Sequence, residues 1–147
     1  MEARLLKNLD PLLHADLLHA LAAMGHGDEL ALVDRNFPAA ALARRLVRLD
    51  GVGIVRAGQA ILSVFPLDSF VEHPVLRMAV VGDPQEIPLV QREFQEAIDR
   101  AESRPWPMGQ VERFAFYERA RDAFAVVATG EDRAYGCFLL KKGVIFD

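Results

Sequence analysis

A histidine between two glycines is the first feature of the sequence with a clear chemical use. The stretch MGHGDELALVD places His26 in this corner, after a segment with helical spacing and before an apolar run. An ordinary histidine titrates at about pH 6.5, so it can give and take a proton near neutrality. Flanking glycines permit backbone angles that would hold the ring at a tight corner. The alternative is a helix cap, in which Gly25 ends the helix and His26 covers its last carbonyl groups.

A carboxylate follows the apolar run ELALV that comes after this corner. Asp34 stands directly behind the run and precedes RNFPA. Its oxygens can accept hydrogen bonds from the hydroxyl groups of a substrate. They can equally cap the next turn, as aspartate commonly does where a strand ends. The sequence leaves both roles open.

Arginine and aromatic residues are concentrated in the block RFAFYERA, residues 113–120. Aromatic rings offer flat apolar surfaces to a sugar ring, and the guanidinium of Arg113 can donate to sugar hydroxyls. The alternative is that Phe114 and Phe116 belong to the core while the charged side chains are solvated. The block is therefore a candidate sugar-binding element, with a structural explanation beside it.

No motif predicts a metal or an organic cofactor. The four histidines show neither H-x-H nor H-E-x-x-H spacing, and one cysteine cannot build a multi-cysteine zinc site. No glycine-rich loop has the spacing that binds dinucleotides or triphosphates. Cys137 lies between Gly136 and Phe138, which favours a small buried hydrophobic residue over a nucleophile.

Composition excludes several classes of partner. A formal charge of -4 gives no basic surface for nucleic acid, and no run approaches the roughly 18 apolar residues of a membrane span. The segment MEARLLKNLDPLL does not have the pattern of a secretory signal, and a lone cysteine suits a reducing compartment. We expect one cytoplasmic domain over residues 1–147.

Helical and strand patterns alternate along the chain. Apolar spacing predicts helices over 15–27, 54–65, 87–103 and 115–123, with Asp16 as the first cap and a brief helical turn within 36–45. Strands are predicted over 29–33, 46–51, 75–83, 110–114, 124–131 and 135–146. This alternation predicts an α/β domain with a mostly parallel sheet, in which ligands bind beyond the carboxyl ends of strands.

Nearly end to end, the chain resembles the L-fucose mutarotase and D-ribose pyranase family. The resemblance rests on the order and spacing of LLKNLDPLL, MGHGDE, DRNFPA, RFAFYERA, VVATGE and YG-FLLKKGV. The elements GHGDE, NFPA and FYERA are similar to the fucose branch rather than to the ribose branch. The resemblance implies a three-layer α/β/α sandwich.

The same resemblance implies residue roles. It makes His26 the proton donor and has the sugar bound by Asp34, Arg113, Tyr135, Gly136 and Cys137. The fucose branch usually has asparagine after Tyr-Gly, where this chain has Cys137. A thiol does not donate and accept as an amide does, so one contact to the sugar differs.

The activity that the resemblance implies is a cofactor-independent isomerase that interconverts the α and β anomers of L-fucose. Opening the hemiacetal requires two proton transfers, and positioned acid–base groups accelerate such steps by roughly 10²–10⁴-fold. The alternatives are a ribose pyranase-type activity and a sugar-binding accessory of a transport system without turnover. Family members commonly form rings, often decamers, with sites near subunit contacts, so we expect a homo-oligomer.

Overall fold

A six-stranded sheet lies between two layers of helices in the computed structural model, which describes residues 5–146. The strands are β1 (Glu29–Val33), β2 (Leu46–Leu49), β3 (Val75–Met78), β4 (Gly109–Val111), β5 (Ala125–Thr129) and β6 (Phe138–Lys141). The helices are α1 (Ala15–Ala23), α2 (Ala39–Leu42), α3 (Ile54–Leu62), α4 (Leu89–Glu102) and α5 (Arg113–Asp122). Residues 1–4, which contribute to the expectation about secretory signals, and residue 147 lie outside the described residues.

Five of the six strands run in the same direction. The order across the sheet is β2-β5-β1-β6-β3-β4, with parallel pairs β1–β5, β2–β5 and β3–β4. Strand β6 is antiparallel to both of its neighbours, β1 and β3. The predicted α/β sandwich with a mostly parallel mixed sheet is confirmed. The carboxyl ends of β1 to β5 and the amino end of β6 therefore meet at one side, the carboxyl edge, and the opposite side is the amino edge.

Apolar side chains fill both faces of the sheet. Helices α1, α3 and α4 cover one face, where Phe94 stacks on Phe138 with ring centroids 3.9 Å apart. A Cβ atom at Gly58 of α3 would collide with the Phe94 ring, so the close approach of α3 and α4 requires a glycine there. Helices α2 and α5 cover the other face, where the fully buried Phe116 meets Phe37 edge to face at 5.5 Å.

Five of the six strands are shorter than predicted, and β3 and β6 differ most from the prediction. Strand β3 ends at Met78, because its neighbour β4 has only three residues and the chain then turns through Gly82 with φ of +81°. Strand β6 occupies only 138–141, because Tyr135 before it has a positive φ of +65°. After it, Gly143 packs so closely on the backbone of Leu67 that a Cβ atom would not fit.

The first helix is capped differently from the prediction. His14, not Asp16, is the N-cap residue of α1, and its Nδ1 accepts a hydrogen bond from the N–H of Leu17 at 3.3 Å. The helix leaves its regular conformation at Met24, and Gly27 with φ of +88° turns the chain into β1. The longest helix in residues 5–146 is α4, which has 14 residues. No helix within these residues is long and apolar enough to cross a membrane.

A buried carboxylate joins the end of β5 to the start of α3. Glu131 is 5% exposed, and its Oε1 accepts from the backbone N–H of Ile54 at 3.2 Å. Its Oε2 accepts from the backbone N–H of Arg133 at 3.2 Å and from the Arg133 Nε at 3.1 Å. The hydrogen bond from the Arg133 side chain, the largest cause, lowers the pKa of Glu131 to about 2 although burial opposes this. The ionised carboxylate therefore stabilises the fold.

We predict that Glu131 makes stability acid-sensitive. A carboxyl pKa lowered from 4.5 to about 2 contributes stability above pH 4.5 that disappears as pH falls towards 2. The full contribution is about 3 kcal/mol. Urea unfolding of Glu131→Gln should show a reduced free energy of unfolding at neutral pH and a weaker loss of it between about pH 5 and 2, the window of this titration. The exposed Glu118→Gln is the control; equal acid sensitivity in Glu131→Gln and the native chain would contradict the prediction.

Candidate functional site

A cavity of about 250 Å³ opens at the carboxyl edge. It lies where β1, β3 and β6 meet the start of α5, and we call it the carboxyl-edge pocket. Its lining combines a carboxylate, a guanidinium, two phenols and apolar surface, contributed by Asp34, Asn36, Phe37, Met78, Arg113, Tyr117, Ala134, Tyr135 and Cys137. Four of the six residues predicted from the sequence thus come together around one cavity.

Asp34 is both the cap of a turn and part of the pocket wall. It is 4% exposed, and its Oδ1 accepts from the backbone N–H groups of Asn36 and Phe37, each at 3.0 Å. Burial raises the pKa of Asp34, while hydrogen bonds from the Asn36 backbone, the Cys137 thiol and the Gly136 backbone oppose the rise. The two roles that the sequence left open are compatible, because the turn uses one oxygen of a carboxylate that also borders the cavity.

Arg113 is the first residue of α5, so the predicted strand over 110–114 is wrong in its second half. Strand β4 stops at Val111, and Glu112 ends it by capping the helix: its carboxylate accepts from the N–H groups of Phe114 at 3.0 Å and Ala115 at 3.1 Å. The Nε of Arg113 donates to the Tyr117 hydroxyl at 3.1 Å. Helix geometry therefore aligns a guanidinium and a phenol four residues apart at the pocket mouth.

Tyr135 is held in the left-handed region of φ by contacts on both its side chain and its backbone. Its hydroxyl accepts from the N–H of Val81 at 3.1 Å, and its carbonyl accepts from Nε2 of Gln91 at 3.0 Å. Gln91 is fully buried and also donates to the Met78 carbonyl at 2.7 Å. The buried Arg77 donates to the Gln91 Oε1 at 3.0 Å. This network fixes the loop before β6 against the end of β3.

Cys137 forms the floor of the pocket. It is 2% exposed and packs in the core cluster beneath α2 and α5, yet it also borders the cavity. Burial raises the pKa of the Cys137 thiol well above its usual value, and the nearby charge of Asp34 adds to this. The thiol therefore stays protonated at neutral pH and hydrogen-bonds to the Asp34 carboxylate. Gly136 does not line the cavity, but its backbone also hydrogen-bonds to Asp34.

His26 lies at the amino edge, where another residue takes the capping role that the sequence left open for it. Nζ of Lys142 donates to the carbonyls of Leu21 at 2.7 Å and Met24 at 2.6 Å, which caps α1. The Lys142 carbonyl accepts from the N–H of Gly27 at 2.8 Å. The His26 side chain is 47% exposed, and its Nε2 lies 3.1 Å from Oδ1 of Asp68.

The two halves of the predicted site are separated within one chain. His26 precedes β1 and Asp34 follows it, so the whole strand lies between them. Five strand residues at about 3.3 Å each separate the two side chains by roughly 16 Å along β1. The carboxyl-edge pocket therefore contains Asp34, Arg113, Tyr135 and Cys137 without His26 of the same chain.

Three further residues with side-chain contacts in these two regions were not among the six predicted site residues. Tyr117 carried a signal, because it lies four positions after Arg113 in the predicted aromatic block. Gln91 carried a weaker one, as a polar residue within the apolar stripe of a helix. Asp68 carried none, because it lies 42 residues from His26 in the sequence. Within residues 5–146, no three His, Cys, Asp or Glu side chains converge to hold a metal ion.

The chain is similar to known proteins over nearly its whole length. The RbsD / FucU transport protein family matches residues 7–145. Human fucose mutarotase is 44% identical over 146 residues, covering 95% of this chain and 94% of the relative. One solved structure is 51% identical and superimposes with a TM-score of 0.95 over 99% of this chain and 100% of the other.

Two sugar complexes are also similar. Fucose mutarotase from Streptococcus pneumoniae in complex with L-fucose is 39% identical, with a TM-score of 0.89 over 96% of this chain and 100% of the other. RbsD from Bacillus subtilis with D-ribose shares the fold, with a TM-score of 0.70 at 20% identity over 91% and 95%. Since the family pattern and these relatives cover nearly the whole chain, the chain belongs to the RbsD / FucU family.

Proposed function

We propose that this protein is an isomerase that interconverts the α and β anomers of L-fucose. The observation that carries the proposal is the near full-length similarity to fucose mutarotases, one of them crystallised with L-fucose. The lining of the carboxyl-edge pocket supports it, because a carboxylate, a guanidinium and phenols suit a sugar that presents both hydroxyl groups and an apolar ring face. We place the activity in the cytoplasm, which suits a chain with a single cysteine.

The reaction needs only proton transfers. A base removes the proton of the anomeric hydroxyl as its oxygen becomes the aldehyde carbonyl, and the bond from the anomeric carbon to the ring oxygen breaks. The electron pair of that bond stays with the ring oxygen, which takes up a proton from an acid. Rotation of the open aldehyde and reversal of these steps gives the other anomer, with protons and electrons in balance.

We assign binding to the carboxyl-edge pocket and proton transfer to His26. Asp34 accepts hydrogen bonds from sugar hydroxyls, while Arg113 donates to them and Tyr135 and Cys137 border the ring. His26 donates the proton to the ring oxygen. When the sugar is bound in this way, its anomeric carbon is held against the imidazole, and the proton transfers occur between groups that are already in position.

The separation of the two halves supports a site that is shared between copies of the chain. We propose a homo-oligomeric ring, a decamer, in which His26 of one protomer faces the carboxyl-edge pocket of its neighbour. The half-exposed His26 ring supports this, because it lies 5.2 Å from the ring of Phe70, which is 67% exposed. Phe146, 70% exposed, lies 6.1 Å from Phe70 and extends this apolar surface. Exposed aromatic residues in contact with each other are typical of protein interfaces.

The first test is His26→Ala. We expect this variant to lose catalysed exchange between L-fucose anomers by roughly 10²-fold or more, because acid–base catalysis supplies that factor. Magnetisation-exchange NMR measures the rate directly, and it also distinguishes turnover from binding by a transport accessory. The same measurement on D-ribose tests the pyranase alternative. The exposed His19→Ala is the control; a folded His26→Ala protein with native exchange would remove His26 from the mechanism.

The second test concerns the shared site. Light scattering should give about ten times the chain mass of 16.3 kDa. His26→Ala and Arg113→Ala, each inactive alone, should recover about one quarter of native exchange when dissociated and reassembled in equal amounts, since copies supply the two halves independently. A monomer mass would contradict the ring. A ring whose mixture stays inactive would instead place both halves in one chain.

The third test concerns the residue that replaces asparagine. Cys137→Asn should tighten L-fucose binding several-fold, because one neutral hydrogen bond contributes about 0.5–1.5 kcal/mol. Cys137→Ala removes the thiol without adding an amide and serves as the control. Thermal unfolding should be measured on both variants, because an unpaired buried amide destabilises a core. A lower Tm without tighter binding would show that position 137 only packs the core.

A further inference from the structure

A second cavity, of about 310 Å³, lies beside the carboxyl-edge pocket. It is formed by the loop between β3 and α4 (residues 79–88), the end of β4 and the start of α5, and we call it the loop cavity. Arg113 lines both cavities. The hydrogen bond from the Val81 N–H to the Tyr135 hydroxyl also joins them, because Val81 lines the loop cavity and Tyr135 lines the carboxyl-edge pocket. The loop cavity therefore extends the candidate sugar site.

A buried guanidinium fixes two walls of the loop cavity. Arg77 is 7% exposed, and it donates to the loop carbonyls of Pro84 at 3.2 Å and Glu86 at 3.3 Å. On the other side it donates to Oε1 of Gln110 in β4 at 2.7 Å. Because one rigid planar group bonds both the loop and β4, the separation between these walls is set.

The same contact determines which atom of Gln110 is free to bind a ligand. A guanidinium only donates, so the amide oxygen of Gln110 faces Arg77 and the amide nitrogen points away from it. Among residues 5–146, no acceptor takes a hydrogen bond from this nitrogen, and Gln110 lines the loop cavity. Nε2 of Gln110 is therefore an oriented donor without a partner in the described part of the chain.

The start of α5 adds a further donor and an acceptor. Nε of Arg113 donates to Tyr117, but no acceptor within residues 5–146 bonds the two terminal nitrogens of this guanidinium. Glu112 accepts the N–H of Phe114 on one oxygen and the N–H of Ala115 on the other, and each oxygen keeps a further lone pair. These two hydrogen bonds lower the pKa of Glu112, so it is ionised at neutral pH.

This set of groups matches hydroxyl groups better than an anion. A hydroxyl both donates and accepts, so it can accept from Gln110 or Arg113 and donate to Glu112. An ionised phosphate or sulfate only accepts, and the charge of Glu112 repels it. Val81, which is 58% exposed, and Pro84 add apolar surface for the face of a ring.

We infer that the loop cavity is a subsite for a second, neutral sugar ring joined to L-fucose through a hydroxyl other than the anomeric one. The anomeric hydroxyl must stay free, because the proposed reaction removes its proton. Ligand pockets generally hold roughly 300–1,000 Å³. The carboxyl-edge pocket, at about 250 Å³, therefore suits one ring, and the two cavities together suit a disaccharide. This inference rests on the proposed binding of L-fucose in the carboxyl-edge pocket.

Binding to the native protein tests the subsite without a variant. The probes are disaccharides with D-galactose β-linked to O4 or to O3 of L-fucose, because these oxygens lie farthest from the anomeric carbon. L-Fucose methylated at the same oxygen controls for the altered hydroxyl. By titration calorimetry we expect one disaccharide to bind roughly 5-fold or more tightly than L-fucose, since each neutral hydrogen bond contributes about 2- to 10-fold. If neither disaccharide binds more tightly than L-fucose, the inference is overturned.

Gln110→Glu is the matched variant. Its carboxylate can still accept from Arg77, which preserves the walls, but an acceptor replaces the amide donor. We expect it to lose the additional affinity for the disaccharide and to keep the affinity for L-fucose and the exchange of its anomers. The exposed Gln59→Glu in α3 makes the same change of charge away from both cavities and is the control. An equal loss of affinity for both sugars in Gln110→Glu would contradict a separate subsite.

The position of the second ring can be measured on the native complex, so the result does not depend on whether the variant folds. We expect nuclear Overhauser contacts between the galactose protons and the methyl groups of Val81. Contacts with residues outside the loop cavity alone would overturn the inference. A sulfate ester on the same oxygen of L-fucose tests the ligand class, because tighter binding of this ester than of the disaccharide would contradict a neutral ligand.

The outcomes separate the subsite from the proposed function. If the native protein exchanges L-fucose anomers and neither disaccharide gains affinity, only the subsite fails. If a disaccharide binds more tightly with contacts to Val81 and L-fucose anomers are not exchanged, the mutarotase activity fails and the subsite is supported. If the protein binds neither L-fucose nor the disaccharides, both proposals fail.

Discussion

The pairing of β6 with β1 connects the two regions of the candidate site. The two strands run antiparallel, with Leu32 opposite Phe138 and Glu29 opposite Lys141. At one end this register places Cys137 beside Asp34, and at the other it places Lys142 against the end of α1. A slip of one residue would turn each β6 side chain to the opposite face. A single strand pair thus organises both the pocket and the corner that holds His26.

Three buried carboxylates show how local donors decide the chemistry of each edge. Glu131 and Asp68 accept hydrogen bonds from basic side chains, Arg133 and His26 respectively, and both have lowered pKa values. Asp34 receives its hydrogen bonds from backbone N–H groups and a thiol, so burial prevails and its pKa is raised. Glu131 thereby stabilises the start of α3 and Asp68 contacts the His26 ring, whereas Asp34 borders the carboxyl-edge pocket.

Polar groups inside the fold are well satisfied. Among residues 5–146, no buried side-chain nitrogen or oxygen lacks a hydrogen-bond partner. The buried guanidinium of Arg77 donates to Gln91 at 3.0 Å and to Gln110 at 2.7 Å, and Gln91 passes this support on to the Tyr135 carbonyl. Such a network holds the positive φ of Tyr135 at the pocket, because each member has a partner and none gains by moving.

Local spacing in the sequence determined the type and the order of most elements. The apolar stripe of α4 predicts which face of this helix is buried, and the run ELALV predicts a buried strand. Asp34 marks the end of β1 in the sequence itself. Only the tertiary structure decided where strands β3 and β6 stop, that Arg113 begins a helix, and that Lys142 caps α1. The tertiary structure also decided that His26 pairs with Asp68 and that His26 lies at the opposite end of β1 from Asp34. These features depend on contacts between residues far apart in the chain, and such contacts follow from strand register and helix packing, which no local pattern encodes.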